Sequence, residues 1–184
     1  MLETVTNNLV LRAKAGDDSV ITELYERYRL GIFRYLYYRV GDLQTAEDLA
    51  SEVFIRMIAA LPGYKPHGIA FQAWLFQIAR NLAIDHYRKA KIRNHVQLEE
   101  DLMAGEDDPV NTFEQSLTSA VLQQALTQLT DEQRDVVVLR FVSGMPIMEV
   151  AQSLHKSEDA IKGLQRRALM ALREILTDWK VAHV

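Results

Sequence analysis

A stretch near the middle of this chain limits its folding more than any other feature. From Asn94 to Leu117 there is no Lys or Arg, and seven carboxylates fall within twenty-four residues. The stretch contains Glu99-Glu100-Asp101 and then Gly105-Glu106-Asp107-Asp108-Pro109. Like charges repel, Gly and Pro interrupt helices, and helical periodicity is weak here, so an extended, flexible acidic linker is expected. It separates two small domains, 1–93 and 118–184, with 94–117 between them.

Locating the acidity changes what the net charge of −4 implies. A negative chain is a poor ligand for phosphate backbones, which demand Lys and Arg. Residues 1–93, however, carry 13 basic and 10 acidic side chains, and residues 118–184 carry eight of each. The excess negative charge is confined to the linker, and neither half excludes a nucleic-acid partner. Apolar residues make up 48% of the chain, enough to build cores. The absence of cysteine excludes disulfides, thiolate zinc sites and thiol redox sensing. The opening Met1-Leu2-Glu3-Thr4 has no signal-peptide character, and no apolar run approaches a membrane-spanning length. A cytoplasmic protein without membrane insertion is expected.

Both halves carry apolar residues at three- and four-residue spacing, so an all-α fold is expected. In the first half, Ile21, Leu24, Tyr28, Ile32 and Leu36 mark a helix ending near Val40-Gly41-Asp42. Leu43, Ala46, Leu49, Ala50, Val53, Phe54, Met57 and Leu61 mark a second, closed by Pro62-Gly63. After a loop, Phe71, Trp74, Leu75, Ile78 and Leu82 start a third that runs to about Arg93, and a shorter helix is expected over 5–15. In the second half Val121, Leu122, Leu126 and Leu129 give one helix, and Thr130 with Gln133 forms a capping box for the next. Pro146 suits a first helical turn, and Ser157 is an N-cap ahead of Glu158 and Asp159, as a helix dipole favours.

Three constellations carry chemistry. A short helix (146–154), a tight turn (His155-Lys156-Ser157) and a longer helix (158–176) have helix-turn-helix proportions. In the longer helix Ile161, Leu164, Ala168 and Leu172 form the apolar stripe, leaving Lys162, Gln165, Arg166 and Arg173 outward and Arg167 at the margin. Long donors on the outer face of a second helix are what major-groove and phosphate contacts require, although a solvated bundle surface has the same pattern. The second constellation is the end of the 71–93 helix, where Arg80, Arg88, Lys89, Lys91 and Arg93 meet one carboxylate, Asp85. With the aromatic start at Phe71, Trp74 and Phe76 and the loop Tyr64-Lys65-Pro66-His67-Gly68, it suits single-stranded nucleic acid. The core spacing of Phe71 and Trp74 favours packing over base stacking. Third, Glu47, Asp48, Ser51 and Glu52 share one polar helix face, either a docking surface for a basic partner or simply solvated.

No catalytic or metal constellation accompanies them. The five histidines (His67, His86, His95, His155, His183) have no metal-ligand spacing, and no phosphate-loop, nucleophile-elbow or dinucleotide fingerprint occurs. The carboxylates of 99–108 lack calcium-loop spacing. No enzyme activity, cofactor or metal is expected.

The order of pieces resembles a bacterial RNA polymerase sigma factor of the sigma-70 family, in its compact extracytoplasmic-function (ECF) group. ELYERYRLGIFRYLYYRVGDLQTAEDLASEVFIRM is similar to the family's first conserved stretch, with its A-E-D-L…E-V-F signature. FQAWLFQIARNLAIDHYRK resembles the stretch that follows, and LTDEQRDVVVLRFVSGMPIMEVAQSLHKSEDAIKGLQRRALMALRE resembles the second domain. The match covers about 20–92 and 118–176. The resemblance implies a region 2-like domain (1–93) and a region 4-like helix-turn-helix domain (118–184), together directing promoter-specific initiation. It implies docking on the β′ clamp helices of core polymerase through Glu47, Asp48, Leu49, Glu52 and Phe54. A flipped base of the −10 element would be met by the 65–70 loop, including Lys65 and His67, and by Asn81, with Arg80, Arg88 and Lys89 along the strand. The −35 duplex would be read through Lys162, Gln165, Arg166, Arg167 and Arg173. Further partners implied are the β flap and an anti-sigma factor, and the acidic linker would thread the polymerase toward the RNA exit channel.

The chain departs from the family pattern at Ser51 (Gln is usual), His155 (Gly is common) and Gly163 (Ser is frequent). A helix-turn-helix regulator acting on duplex DNA alone is the other reading. It would have no need of the 80–93 basic cluster or the acidic linker.

Overall fold

Why each helix begins and ends can be read from its termini. The computed structural model describes residues 2–65, 68–96 and 113–182, excepting the side chains of 2–5, 91–96, 113–118 and 180–182. Helix α1 (Leu2–Lys14) leads into α2 (Asp18–Val40), which stops at Gly41 in the left-handed region (φ 83°). That conformation costs a residue without Cβ little, and lets the Gly41 amide donate back to the Tyr37 carbonyl at 2.9 Å. Asp42 then caps α3 (Leu43–Ala60) by accepting from the Thr45 amide at 2.7 Å, a bond that lowers the Asp42 pKa. A 3₁₀ turn at Leu61–Gly63 closes α3, and α4 (Phe71–Val96) follows.

Helix α5 (Phe113–Thr127) ends beneath a buried guanidinium. Arg134 donates from Nε to the Leu126 carbonyl (2.8 Å) and from Nη2 to the Thr127 carbonyl (2.9 Å). Both bonds of the Thr130/Gln133 capping box form, at 3.3 and 3.1 Å, and open α6 (Asp131–Val137). A π-turn, Val138–Val142, continues α6. Then come α7 (Ile147–Leu154), a three-residue turn and α8 (Glu158–Ala182).

Several expected boundaries move. Helix α1 begins at Leu2 rather than near residue 5, and α8 continues beyond Leu176 to Ala182. The expected linker is helical at both ends, because α4 runs through Val96 and α5 opens at Phe113; its remainder, 97–112, lies outside the described residues. Pro146 sits one residue before α7, its ψ of 152° being extended rather than helical.

Two bundles result. In α1–α4 the interior is built from Leu24, Ile32, Leu36, Met57 and Leu75, with Phe71 and Phe76 wholly inside. The Phe71 ring packs between Tyr28 (5.6 Å) and Tyr64 (5.5 Å), and Trp74 lies 4.8 Å from Tyr64. These aromatics are packing, as their spacing suggested. In α5–α8, Leu126, Val136, Leu139, Met145, Val150 and Ile161 form the interior. The bundles also pack on each other. Helices α2 and α4 meet α7 and the π-turn, and the seam holds charged groups as well as apolar ones.

Candidate nucleic-acid interface

Helices α7 and α8 are joined by a turn whose first residue, His155, adopts the left-handed conformation (φ 53°, ψ 45°). Its amide donates to the Gln152 carbonyl and the next, Lys156, to Ala151, closing α7. His replaces the commoner Gly at modest cost, and the turn it makes is the same. Ser157 Oγ accepts from the Ala160 amide at 3.2 Å and starts α8. Lys156 reaches Glu132 at 2.7 Å, tying the turn to the beginning of α6.

The stripe Ile161, Leu164, Ala168 and Leu172 is buried, which turns the opposite face of α8 outward. Lys162, Arg166, Arg167 and Arg173 are exposed. Lys162 and Arg166 are one helical turn apart, and Arg173 returns to the same face two turns later. Gln165 is half-buried and accepts from Arg140 Nε at 3.2 Å, so part of its hydrogen-bonding capacity is used internally. Lys162 pairs with Asp159 at 3.1 Å on open surface, a contact worth little and easily exchanged. Leu169 and Met170 are exposed beside these cations.

On α4, Asn81, Arg88 and Lys89 are exposed. Asn81 and Arg88, two turns apart, share one face. Lys65 is exposed at the near side of the loop, while His67 lies outside the described residues. Arg80 is placed differently from its neighbours. Its Nε donates to Asp135 Oδ2 at 2.9 Å, across the seam.

On α3, Glu47 and Asp48 are exposed, with Leu49 and Glu52 half-buried. Glu52 is bonded to Arg56 at 2.7 Å. Phe54 is a correction. It is buried, edge-on to Tyr25 at 4.8 Å, and offers no docking surface. Spacing explains the error, because Phe54 follows Ala46, Ala50 and Val53 around the inner stripe. Ile55 (61% exposed) and Ile58 stand outside it and had not been singled out. One and two helical turns on from Ser51 and Glu52, they make the acidic face partly apolar.

Sequence reasoning missed the seam altogether. Asp135 is 0% exposed. Its Oδ1 accepts from Tyr35 Oη at 2.8 Å, and Arg80 holds the other oxygen. Arg39, 2% exposed, brings Nε to 3.2 Å from Oδ1, off-line for a hydrogen bond, and donates from Nη1 to Asp131 at 3.0 Å. Tyr87 Oη donates to the Arg39 carbonyl. Burial first, and the Asp135 charge second, push the Tyr35 phenol well above its ordinary pKa. For Arg39 burial opposes the charge, but Asp135, Tyr35 and Asp131 outweigh it and raise the pKa. The Arg39 hydrogen bond leads in lowering the Asp131 pKa. A carboxylate just before Val136-Val137-Val138 was a signal that a buried anion needed cations. That the cations come from residues 39 and 80 was not readable.

Among the described residues, no group of three or more His, Asp or Glu gathers as a metal site, and no helix is long and apolar enough to cross a membrane.

Comparison with known proteins agrees with this geometry. The family described as Sigma-70 region 2 matches residues 24–92, and Sigma-70 region 4 matches residues 125–174. The chain is 41% identical over 172 residues to the ECF RNA polymerase sigma factor BldN of Streptomyces coelicolor, covering 92% of this chain and 65% of that protein. It is 33% identical over 157 residues to the ECF RNA polymerase sigma factor SigX of Bacillus subtilis, covering 82% of this chain and 80% of that one. The solved structure of CnrH in complex with the cytosolic domain of CnrY shares the fold, with a TM-score of 0.74 at 24% identity over 92% of this chain and 96% of CnrH. A region 2 match on the α2–α4 bundle and a region 4 match spanning the helix-turn-helix, in that order on one chain, place it in the sigma-70 family as an ECF RNA polymerase sigma factor.

Proposed function

We propose that this chain carries out the family's task, promoter-directed initiation with RNA polymerase, through three separate surfaces. The α3 face of Glu47, Asp48, Leu49 and Glu52, extended by Ile55 and Ile58, docks on the β′ clamp helices. Asn81, Arg88, Lys89 and Lys65 hold the melted −10 strand, with Arg80 joining them once it is free. The outer face of α8, with Lys162, Gln165, Arg166, Arg167 and Arg173, reads the −35 duplex while its half rests on the β flap. The functional units are 1–93 and 118–184, with 94–117 as the acidic connection.

The observation that supports this division best is the position of exposed cations. They stand on α8 immediately after a helix-turn-helix turn, and again on α4, with the α3 acids on a helix of their own. The protein has no chemistry of its own in this reading; polymerase supplies it, in the cytoplasm. CnrH is solved with the cytosolic domain of a second protein, CnrY, bound. A comparable masking partner, an anti-sigma factor, suits the apolar side chains left exposed here, among them Ile55, Ile58, Phe141 and Met148.

In vitro transcription tests the whole reading. Core polymerase with this protein alone should start transcription at discrete promoters, mapped by transcript 5′ ends. Tight duplex binding without specific initiation would replace it with the regulator reading.

A further inference from the structure

Reading two promoter elements at once requires the halves to be apart. The −10 and −35 elements lie about 25 base pairs, or about 85 Å, apart along a duplex rising 3.4 Å per pair. A compact chain of 184 residues has a radius of gyration of about 16 Å and a diameter of about 40 Å. The closed body spans half the distance it has to cover. Seventeen peptide steps join Val96 to Phe113, a covalent reach of at most about 60 Å, so the chain itself permits separation. What resists separation is the seam.

The seam is asymmetric. Its anion, Asp135, belongs to the α5–α8 half, whereas its side-chain partners Tyr35, Arg39 and Arg80 all come from the α1–α4 half. A buried carboxylate that loses its cations is costly, so the pairing holds as a set or is broken as a set. Gln152 of α7 makes a second attachment. Its side-chain oxygen accepts from the Ala70 amide at 3.1 Å, and its main-chain carbonyl accepts from Gln77 Nε2 at 2.9 Å. Both parts of the first half so engaged, Arg80 and the end of the 65–70 loop, are ones assigned above to the −10 strand. The Arg80 Nε bonded to this carboxylate is not available to a phosphate, which would use the same donor.

We propose that the Asp135 carboxylate is a latch: it stands in for a DNA phosphate on Arg80 and keeps the free chain closed, until core polymerase separates the halves. The occluding limb of this proposal rests on the reading of Arg80 as a strand contact.

The whole chain, cysteine-free, accepts a donor–acceptor dye pair at Ser19→Cys and Thr177→Cys, one on each half. Asp135→Asn should lower energy transfer and tighten binding of a single-stranded oligothymidylate about tenfold, the worth of one charge-assisted contact. Gln152→Ala, which leaves the buried charges and the Gln77 bond to the main-chain carbonyl in place, should do the same about threefold, as loss of the one neutral hydrogen bond to the Ala70 amide predicts. In an Arg80→Ala background the gain from Asp135→Asn should shrink to what release of the 65–70 loop contributes, and an undiminished gain removes Arg80 from the occlusion. Unaltered transfer in both variants overturns the latch, whatever Arg80 does. Opening with no gain in DNA binding removes Arg80 from the strand contacts and overturns the occlusion. Should circular dichroism find Asp135→Asn unfolded, Gln152→Ala decides alone: unaltered transfer overturns the latch.

Discussion

Replacing Arg134 by Met takes a buried guanidinium from beneath the end of α5. At 8% exposure this side chain donates at 2.8 Å to Leu126 and at 2.9 Å to Thr127; a third contact, to Leu129 at 3.5 Å, is too long to count for much. Bonds from a charged donor contribute about 1.5–3 kcal/mol each, and a carbonyl left dry costs a similar amount. Thr127 is exposed, so water can replace its lost donor, while Leu126 is buried and its carbonyl stays unsatisfied. Met keeps the unbranched stem and most of its packing, which limits any cavity contribution. A loss of about 3 kcal/mol follows. For a chain of this length that is a fall of about 6–12 °C in the unfolding midpoint. Thermal unfolding followed by circular dichroism measures it, with Thr130→Ala as a reference expected to cost only about 1 kcal/mol. A loss below about 1 kcal/mol for Arg134→Met would refute the idea that this guanidinium, rather than the capping box, holds α5 against the helix-turn-helix.

Other expectations concern the sites. Because the folded-state pKa of Tyr35 is raised, its contribution to the closed seam is present below its ordinary value of 10.0 and lost as pH rises through the folded value. Asp135, Arg39 and Arg80 face this phenol, with the Phe76 ring at 5.6 Å. Dye-pair transfer should therefore fall at alkaline pH, and Tyr35→Phe should flatten that limb; an identical alkaline profile in the variant would exclude the phenol. Gly163→Ala should stabilise α8 by about 0.5–1 kcal/mol, since an added Cβ meets nothing closer than Arg167 Nη1 at 3.5 Å. If −35 affinity falls in that variant, the missing Cβ serves DNA and not the fold. Arg166→Ala should weaken −35 promoter recognition by about 1–3 kcal/mol at unchanged core affinity, and undiminished promoter binding would remove Arg166 from the reading face. Reversing charge at Glu47 and Asp48, or changing Ile55 to Ser, should lower core affinity in a polymerase titration without altering the melting midpoint, and an unaltered affinity would leave that face merely solvated.

Local physics in this chain was legible from sequence, and long-range pairing was not. Thr130 with Gln133, and Ser157, act on amides three residues ahead, so their caps follow from spacing alone. The buried stripe of α8, and hence the outward placing of Arg166 and Arg173, follows equally from a 3.6-residue period. Phe54 shows the limit, because one helical stripe was read both as core and as docking surface until burial separated Phe54 from Ile55. The seam lies further out of reach. Asp135 meets Tyr35 and Arg39 across about a hundred residues and Arg80 across fifty-five, and no propensity or periodicity encodes which cation answers a buried anion. That choice is made when two finished bundles pack, because a desolvated carboxylate accepts only an arrangement that brings positive charge to it. Sequence by itself determined the helices, their caps and the cationic faces; tertiary structure decided that Arg80, a cation like its neighbours on α4, is bound to the other half of the molecule.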